Sequence, residues 1–336
     1  MSQVAVIGGG SWGTALAVLL AQNGHRVRLW VRDPALARIL ERERRNPIYL
    51  PGIRVPDEVV LGSDLAAAVG EAEVVVNAVP SHATREVMGR VAGNLDAEAL
   101  VVSTSKGIEN DTLARMTEVL DEVLPPGAGD RVAVLSGPSF AIEVARGFPT
   151  AVTAAADDLE VAERARDLFA NPRFRVYTST DVAGVELGGA VKNIVAIAAG
   201  ICDGLRYGHN ARAALITRGI AEIARLGVAL GGDPITFMGL AGLGDLVLTC
   251  TTDLSRNRAV GLRVGAGETL EEIQADMRMV AEGVRTTRSV RDLARRHDVE
   301  MPITEEVHAM LYEGKDPRVS VEDLMTREFK PEFERR

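Results

Sequence analysis

Cysteine, lysine and long apolar runs are all scarce in this sequence, and each shortage removes a class of protein. Cys202 and Cys250 are the only cysteines among 336 residues. That is too few for a disulfide framework or a zinc site, so no metal is expected and a reducing compartment fits. The longest uncharged apolar stretch, Ile194–Cys202, falls well short of the ~20 residues that cross a bilayer. Val4–Gly8 already reads as a strand, which leaves no room for a signal peptide. A cytoplasmic chain with no membrane span is the expectation. The net charge of −9 and the want of any basic stripe argue against nucleic acid. Anionic ligands would have to be held by local cations and helix N-termini working against the global field.

What is present is ample apolar material, 46% of residues, over a length that suggests about two domains. In the first half short apolar runs alternate with helical patterns. Val4–Gly8, Val27–Val31, Val74–Val79, Leu100–Thr104, Val132–Leu135, Ala151–Ala155 and Arg175–Tyr177 read as strands. Thr14–Gln22, Leu113–Leu124 and Leu159–Phe169 carry helical periodicity. That alternation implies an α/β unit with a doubly wound, mostly parallel sheet. Asn46–Pro56, with three prolines and Gly52, reads as a loop that could meet a ligand. After about Thr180 no convincing strand appears, and helical stretches follow one another: Val182–Cys202, Ala211–Leu230, Asn257–Val264, Leu270–Met277, Arg285–Arg296 and Glu305–Tyr312. Asp233-Pro234 and the capping box Thr269…Glu272 are start signals. The expected division is 1–180 and an all-helical 181–336, the second carrying substrate and catalysis.

The chain opens strand, tight turn, helix: Val4-Ala5-Val6-Ile7-Gly8-Gly9-Gly10-Ser11-Trp12-Gly13-Thr14. Gly8 permits the turn, Gly10 lets backbone approach a pyrophosphate, and Gly13 lets the helix pack closely on the strand. Free N–H groups at the helix start favour an anion there. A dinucleotide is the reading, with a purely structural turn as the plain alternative. About 20 residues on, Arg32-Asp33 occupies the place that reads the adenosine ribose. Arg32 favours the 2′-phosphate of NADP; Asp33 either favours NAD or simply caps the next helix. The balance leans to NADP(H), with NAD(H) also used.

Only four of the 38 basic residues are lysines: Lys106, Lys192, Lys315 and Lys330. Arginine stays charged at any relevant pH, whereas a lysine's pKa moves far enough for it to exchange a proton. Lys106 follows the strand Leu100–Thr104, at the sheet edge where open α/β sheets bind ligands. Lys192 sits in Gly188-Gly189-Ala190-Val191-Lys192-Asn193, inside a nearly uncharged helix. Both are catalytic candidates; a surface charge for Lys106 and a snorkelling stem for Lys192 are the ordinary alternatives. Ser136–Ala141 follows another strand, and Gly239–Leu246 sets three glycines beside Asp245. Ser255-Arg256-Asn257 combines a hydroxyl, a guanidinium and a helix start, a phosphate-holding set or an ordinary cap.

These stretches, in this order, resemble the bacterial NAD(P)-dependent glycerol-3-phosphate dehydrogenases over essentially the whole chain. The matching segments are Gly8–Thr14, Ser105-Lys106-Gly107, Ser136–Ala141, Gly188–Asn193, Asn210–Gly219, Gly239–Thr249, Ser255–Asn257 and Met301–Glu306. Gly9 and Ala281 depart from the pattern, standing where alanine and a bulkier residue are usual. The resemblance implies a Rossmann-type domain plus a helical domain, and interconversion of dihydroxyacetone phosphate and sn-glycerol 3-phosphate, the precursor of phospholipids. It implies Lys192 as general acid/base, Lys106 polarising the carbonyl, and Asp245 and Thr249 holding substrate hydroxyls and orienting Lys192. Gly137 and Ser139 would touch substrate, and Ser255, Arg256 and Asn257 would form the phosphate end. Ser11, Trp12, Arg32, Lys106, Ala141, Arg256, Val280 and Glu282 would meet the cofactor with Gly8, Gly10 and Gly13. A small-molecule substrate is the only expected ligand besides the cofactor, and a homodimer follows from the frequency of twofold assemblies. Two rivals share parts of this pattern: a two-domain hydroxy-acid dehydrogenase, separated by the phosphate end, and a cofactor-binding sensor without catalysis, opposed by the intact Lys106, Lys192 and Asp245.

Overall fold

The computed structural model describes residues 1–277, 281–329 and 331–332. Ten strands precede residue 180: β1 Gln3–Ile7, β2 Arg26–Trp30, β3 Arg45–Asn46, β4 Leu50–Arg54, β5 Val60–Gly62, β6 Val74–Asn77, β7 Leu100–Ser103, β8 Val132–Ser136, β9 Thr150–Ala155 and β10 Phe174–Ser179. Eight of them form one sheet in the order β10-β9-β8-β7-β6-β1-β2-β5, parallel except for β8–β9. Strands β6, β7 and β8 are buried along their whole length, so their sequences are continuous apolar runs rather than alternating ones. The strand order reverses between β1 and β6, which opens a crevice at the C-terminal edge above them. The turns after β1, β2, β6, β7 and β8 all end at this edge.

Two differences from the sequence reading lie in the first half. Asn46–Pro56 is not a plain loop: β3 and β4 pair as an antiparallel hairpin. Its strands are too short and too broken by Pro47 and Pro51 to show a period of two. The expected helix at Leu113–Leu124 begins only at Met116, because Leu113 takes a left-handed conformation at φ 65°. A third lies beyond residue 180. Asp233-Pro234 opens only the single 3-10 turn Thr236–Met238, with the Asp233 carboxylate accepting from Ile235 N–H.

Beyond Ser179 the described residues hold helices and no strand. The Asp181 carboxylate caps Val182–Gly204, accepting from Gly184 N–H at 2.8 Å. This helix is long and apolar enough to cross a membrane, yet its whole apolar window is buried inside the molecule. It is the axle of the helical half: 20 of its 23 residues are buried. The Arg256–Gly265 helix lies on it almost backbone to backbone, since a Cβ at Gly261 would collide with the Ile197 carbonyl. The expected capping box holds at Leu270–Asp276, with Thr269 and Glu272 each bonded to the other's backbone.

Candidate active site

The glycine turn is shaped by contacts that exclude side chains. Gly8 sits at φ 124°, and a Cβ there would lie 2.7 Å from the Ala78 carbonyl. A Cβ at Gly13 would collide with the Gly8 carbonyl, whereas one at Gly10 would meet nothing within 4 Å. Gly9 has its own reason, because a Cβ would fall 2.7 Å from the Val31 side chain. Helix Ser11–Gln22 starts at Gly10 with no side-chain cap, so its first N–H groups are left for an anion. Tight packing below and open space above Gly10 fit a dinucleotide pyrophosphate.

The hairpin braces this turn. Asn46, fully buried, donates from Nδ2 to the Gly9 carbonyl and to Thr14 Oγ1, both at 2.9 Å, and accepts from Tyr49 N–H. Ser11 Oγ donates to the Tyr49 carbonyl at 2.6 Å. Trp12 is half-buried against the N-terminal core. At the end of β2 the Asp33 carboxylate caps Pro34–Glu43, accepting from Ala35 N–H, which is the plain alternative for that residue. Arg32 is exposed and has no partner among the described residues.

Across the crevice the chain assembles a buried lysine–carboxylate–lysine array. Asp245, 2% exposed, accepts from Lys106 Nζ through Oδ2 and from Lys192 Nζ through Oδ1, each at 2.6 Å. Lys192 Nζ also donates to Thr249 Oγ1 at 2.8 Å, and Thr249 Oγ1 donates in turn to the Asp245 carbonyl. Lys106 reaches the Gly137 carbonyl at 3.3 Å, which Ser139 Oγ also contacts. Neither Asp245 nor Ser139 is the N-cap of the helix that follows, a place held by Gly244 and Phe140, so ordinary N-capping explains neither side chain. Glycines make the approach possible. A Cβ at Gly188 would lie 2.7 Å from the Ala241 carbonyl, and one at Gly189 would lie 2.6 Å from Ser136 Oγ and 3.6 Å from the Lys106 stem. Gly239–Gly244 thus rides directly on the lysine helix through a wide π-type turn at Leu240–Gly244.

Burial is the main influence on Lys192 and lowers its pKa to about 8; the Lys106 charge adds to this, and Asp245 opposes it. Burial works against the Asp245 carboxylate, but the two ammonium groups outweigh it and hold its pKa below the usual value. The site therefore holds one fixed anion between two cations, and one of those cations can exchange a proton near neutral pH.

Next to the array, Ser255 caps Arg256–Gly265, with its Oγ accepting from Arg258 N–H. Arg256 is exposed on the first turn. Asn257 is engaged on both sides: Nδ2 donates to Asn193 Oδ1 and Oδ1 accepts from Gly283 N–H, both at 2.9 Å. Glu282 opens helix Glu282–Arg296 and accepts from Ser81 N–H at 3.3 Å, joining the helical half to the turn after β6. Burial raises its pKa, against the pull of Arg256, Lys106 and Lys192. Ala141 starts the short helix Ala141–Ala145 after β8. Val280 lies outside the described residues.

Sequence reasoning missed three residues that the fold draws in. Asn193 was adjacent to a candidate and could have been found by its place beside Lys192. Asn46 and Ser81 act through contacts with segments remote in sequence, and neither carries a local signature.

The chain matches the model of the NAD-dependent glycerol-3-phosphate dehydrogenase N-terminus over residues 3–162, and that of the C-terminus over 181–322. It is 55% identical over 330 residues to a glycerol-3-phosphate dehydrogenase [NAD(P)+] of Citrifermentans bemidjiense, covering 98% of each chain. It is 54% identical over 328 residues to one of Anaeromyxobacter sp., covering 98% of this chain and 99% of the other. The crystal structure of glycerol-3-phosphate dehydrogenase from Coxiella burnetii superposes with a TM-score of 0.92 at 42% identity, over 97% of this chain and 99% of that one. With both halves matched in order, and full-length relatives above half identity, this chain belongs to the NAD-dependent glycerol-3-phosphate dehydrogenase family.

Proposed function

We propose that this enzyme interconverts dihydroxyacetone phosphate and sn-glycerol 3-phosphate with NADPH or NADH, supplying glycerol phosphate for phospholipid synthesis. The observation that carries the reading is the Asp245 carboxylate bridging Lys106 and Lys192 across the crevice. A bound nicotinamide would supply the hydride that reduces the ketone carbon. Lys192 gives its Nζ proton to the developing carbinol oxygen and takes one back in the reverse direction. Lys106 polarises the carbonyl, and Asp245 with Thr249 fixes where the Lys192 ammonium points. Gly137 and Ser139 face the substrate beside Lys106. At the far end Arg256, the Ser255 hydroxyl and the Asn257 amide receive the phosphate, which a hydroxy acid would lack. Gly8, Gly10, Ser11, Trp12 and Gly13 take the pyrophosphate side, Arg32 the adenosine side, and Ala141 and Glu282 the nicotinamide side; the family resemblance adds Val280 as a further cofactor contact.

The same reading takes residues 1–180 as the cofactor domain and 181–336 as the catalytic one, in a cytoplasmic homodimer. The test follows NADPH, and separately NADH, by absorbance on adding dihydroxyacetone phosphate to purified protein. Substrate-dependent oxidation supports the reading; folded protein that binds NADPH yet oxidises neither cofactor overturns it.

A further inference from the structure

Lys106 stands where the chain passes from one core to the other. Val101 and Val102 of β7 are buried among residues of the sheet half. Ile108 and Leu113, just past Lys106, are buried instead in the core of the helical half, with Val191, Ile194, Val290 and Leu293. One apolar cluster thus holds both the residue before Lys192 and the residue two after Lys106. Up to Ser105 the chain is tied to the sheet: Thr104 donates to the Asn77 carbonyl, and Ser105 Oγ donates to the Val79 carbonyl at 2.5 Å. Lys106 is the residue between the two grips.

One face of the helix Glu282–Arg296 runs along the segment that follows. Glu282, Thr286, Ser289 and Arg296 recur at helical spacing, which places them on one stripe. Glu282 accepts from Ser81 N–H at 3.3 Å. Gly107, at φ 153°, has no room for a side chain: a Cβ there would collide with Ser81 Oγ and lie 3.5 Å from Thr286 Oγ1. Ser289, 1% exposed, donates from Oγ to the Ile108 carbonyl at 3.1 Å, with the Thr286 carbonyl of its own helix at 3.2 Å as a second acceptor. Arg296 reaches the Thr112 carbonyl at 3.5 Å. The helix therefore lies along the Lys106 loop from its first turn to its last.

We propose that Ser289 and Ile108 are positioning residues for Lys106: they clamp the backbone after it to the helical half, so that Lys106 keeps its place against Asp245 when the two halves shift relative to each other. Both act through the backbone and the core, not on the substrate. The proposal rests on the reaction given above and adds to it residues that the glycine turn and the lysine array do not include. A carbonyl polarised by Lys106 needs that ammonium held in position, so loosening the segment costs transition-state stabilisation and leaves cofactor binding alone.

Steady-state kinetics on the full chain give the first test. Ser289→Ala should lower kcat/KM for dihydroxyacetone phosphate about three- to tenfold, the range for one lost buried hydrogen bond, with NADPH affinity by fluorescence titration unchanged. Ile108→Val, which keeps the core nearly filled, should act in the same direction and more weakly. In a Lys106→Ala background the further change Ser289→Ala should cost less than about twofold, because the group it positions is already gone. Equal losses in the two backgrounds would make Ser289 a support of the fold alone and overturn the proposal. Amide hydrogen exchange over residues 107–115, read by mass spectrometry, needs no turnover. Ser289→Ala should speed it several-fold while β7 exchanges as in the wild type. Unchanged exchange in that segment also overturns the clamp. A wild type that fails to reduce dihydroxyacetone phosphate counts against the proposed reaction, and the exchange result then decides the clamp by itself.

Discussion

Lys192 carries a charge into a helix whose other buried residues are mostly small or aliphatic, and that burial tunes it. With a pKa of about 8 the ammonium is mostly protonated at neutral pH and still able to lose its proton. Reduction needs the protonated form, so its rate should fall as pH rises through about 8; oxidation of glycerol phosphate needs the free amine and should rise over the same window. Rate profiles in both directions check this, and two flat profiles across that window would remove Lys192 from proton transfer. The stability sign follows from the same shift. Between about 8 and the ordinary lysine value of 10.5 the unfolded chain holds a proton that the folded one has released, so stability gains with pH there. Lys192→Ala should lower kcat about 10²–10⁴-fold, the range for a lost acid/base group, with NADPH binding intact by fluorescence titration. A variant with near-normal kcat would end the assignment.

At the scale of elements, two devices hold the site in register. The β3–β4 hairpin fastens the glycine turn through Asn46, which occupies the Gly9 carbonyl and so helps leave the turn's N–H groups facing the ligand. Asn46→Ala should weaken cofactor binding by roughly tenfold, a lost buried hydrogen bond or two, with kcat at saturating cofactor close to wild type. A drop in kcat with unchanged cofactor affinity would show the hairpin acting elsewhere. The second device is the bare surface of the lysine helix. At Gly188→Ala the added methyl meets the Ala241 backbone carbonyl at 2.7 Å, and backbone cannot step aside cheaply. The Gly239–Gly244 segment would be pushed off, carrying Asp245 from Lys192. Expected are a stability loss of about 1–3 kcal/mol by thermal melting and a fall in kcat larger than any change in cofactor affinity. Unchanged melting and kcat would mean that this close approach is not needed.

For the whole molecule the decisive fact is that the lysine–carboxylate array is built from both halves. Lys106 comes from the sheet edge; Lys192, Asp245 and Thr249 come from the helical half. Further ties cross between the halves at Glu186, which accepts from Thr117 N–H and Oγ1 and pairs with Arg115. Exclusion of water where the halves meet strengthens each charge–charge contact there. Exposed Ile235 and Met238 on the helical half offer apolar surface for association. Light scattering should give about twice the 35.9 kDa chain mass if the homodimer reading holds, and the single mass would refute it.

The glycine turn, the parallel strands and the late helices were legible because each depends on neighbours a few residues away. Gly8, Gly10 and Gly13 mark the turn by spacing, and the apolar runs at β6, β7 and β8 mark buried strands by composition. Lys106 and Lys192 stood out because the chain uses arginine almost everywhere else. The hairpin was hidden by two prolines and a two-residue strand, which leave no period to read. The sequence by itself determined where most segments form and which residues are candidates for the chemistry. Only the tertiary structure decided their pairing. Lys106 meets Asp245 across 139 positions, Asn193 meets Asn257 across 64, and Ser81 meets Glu282 across 201. Such contacts arise from packing between elements, which no local pattern encodes.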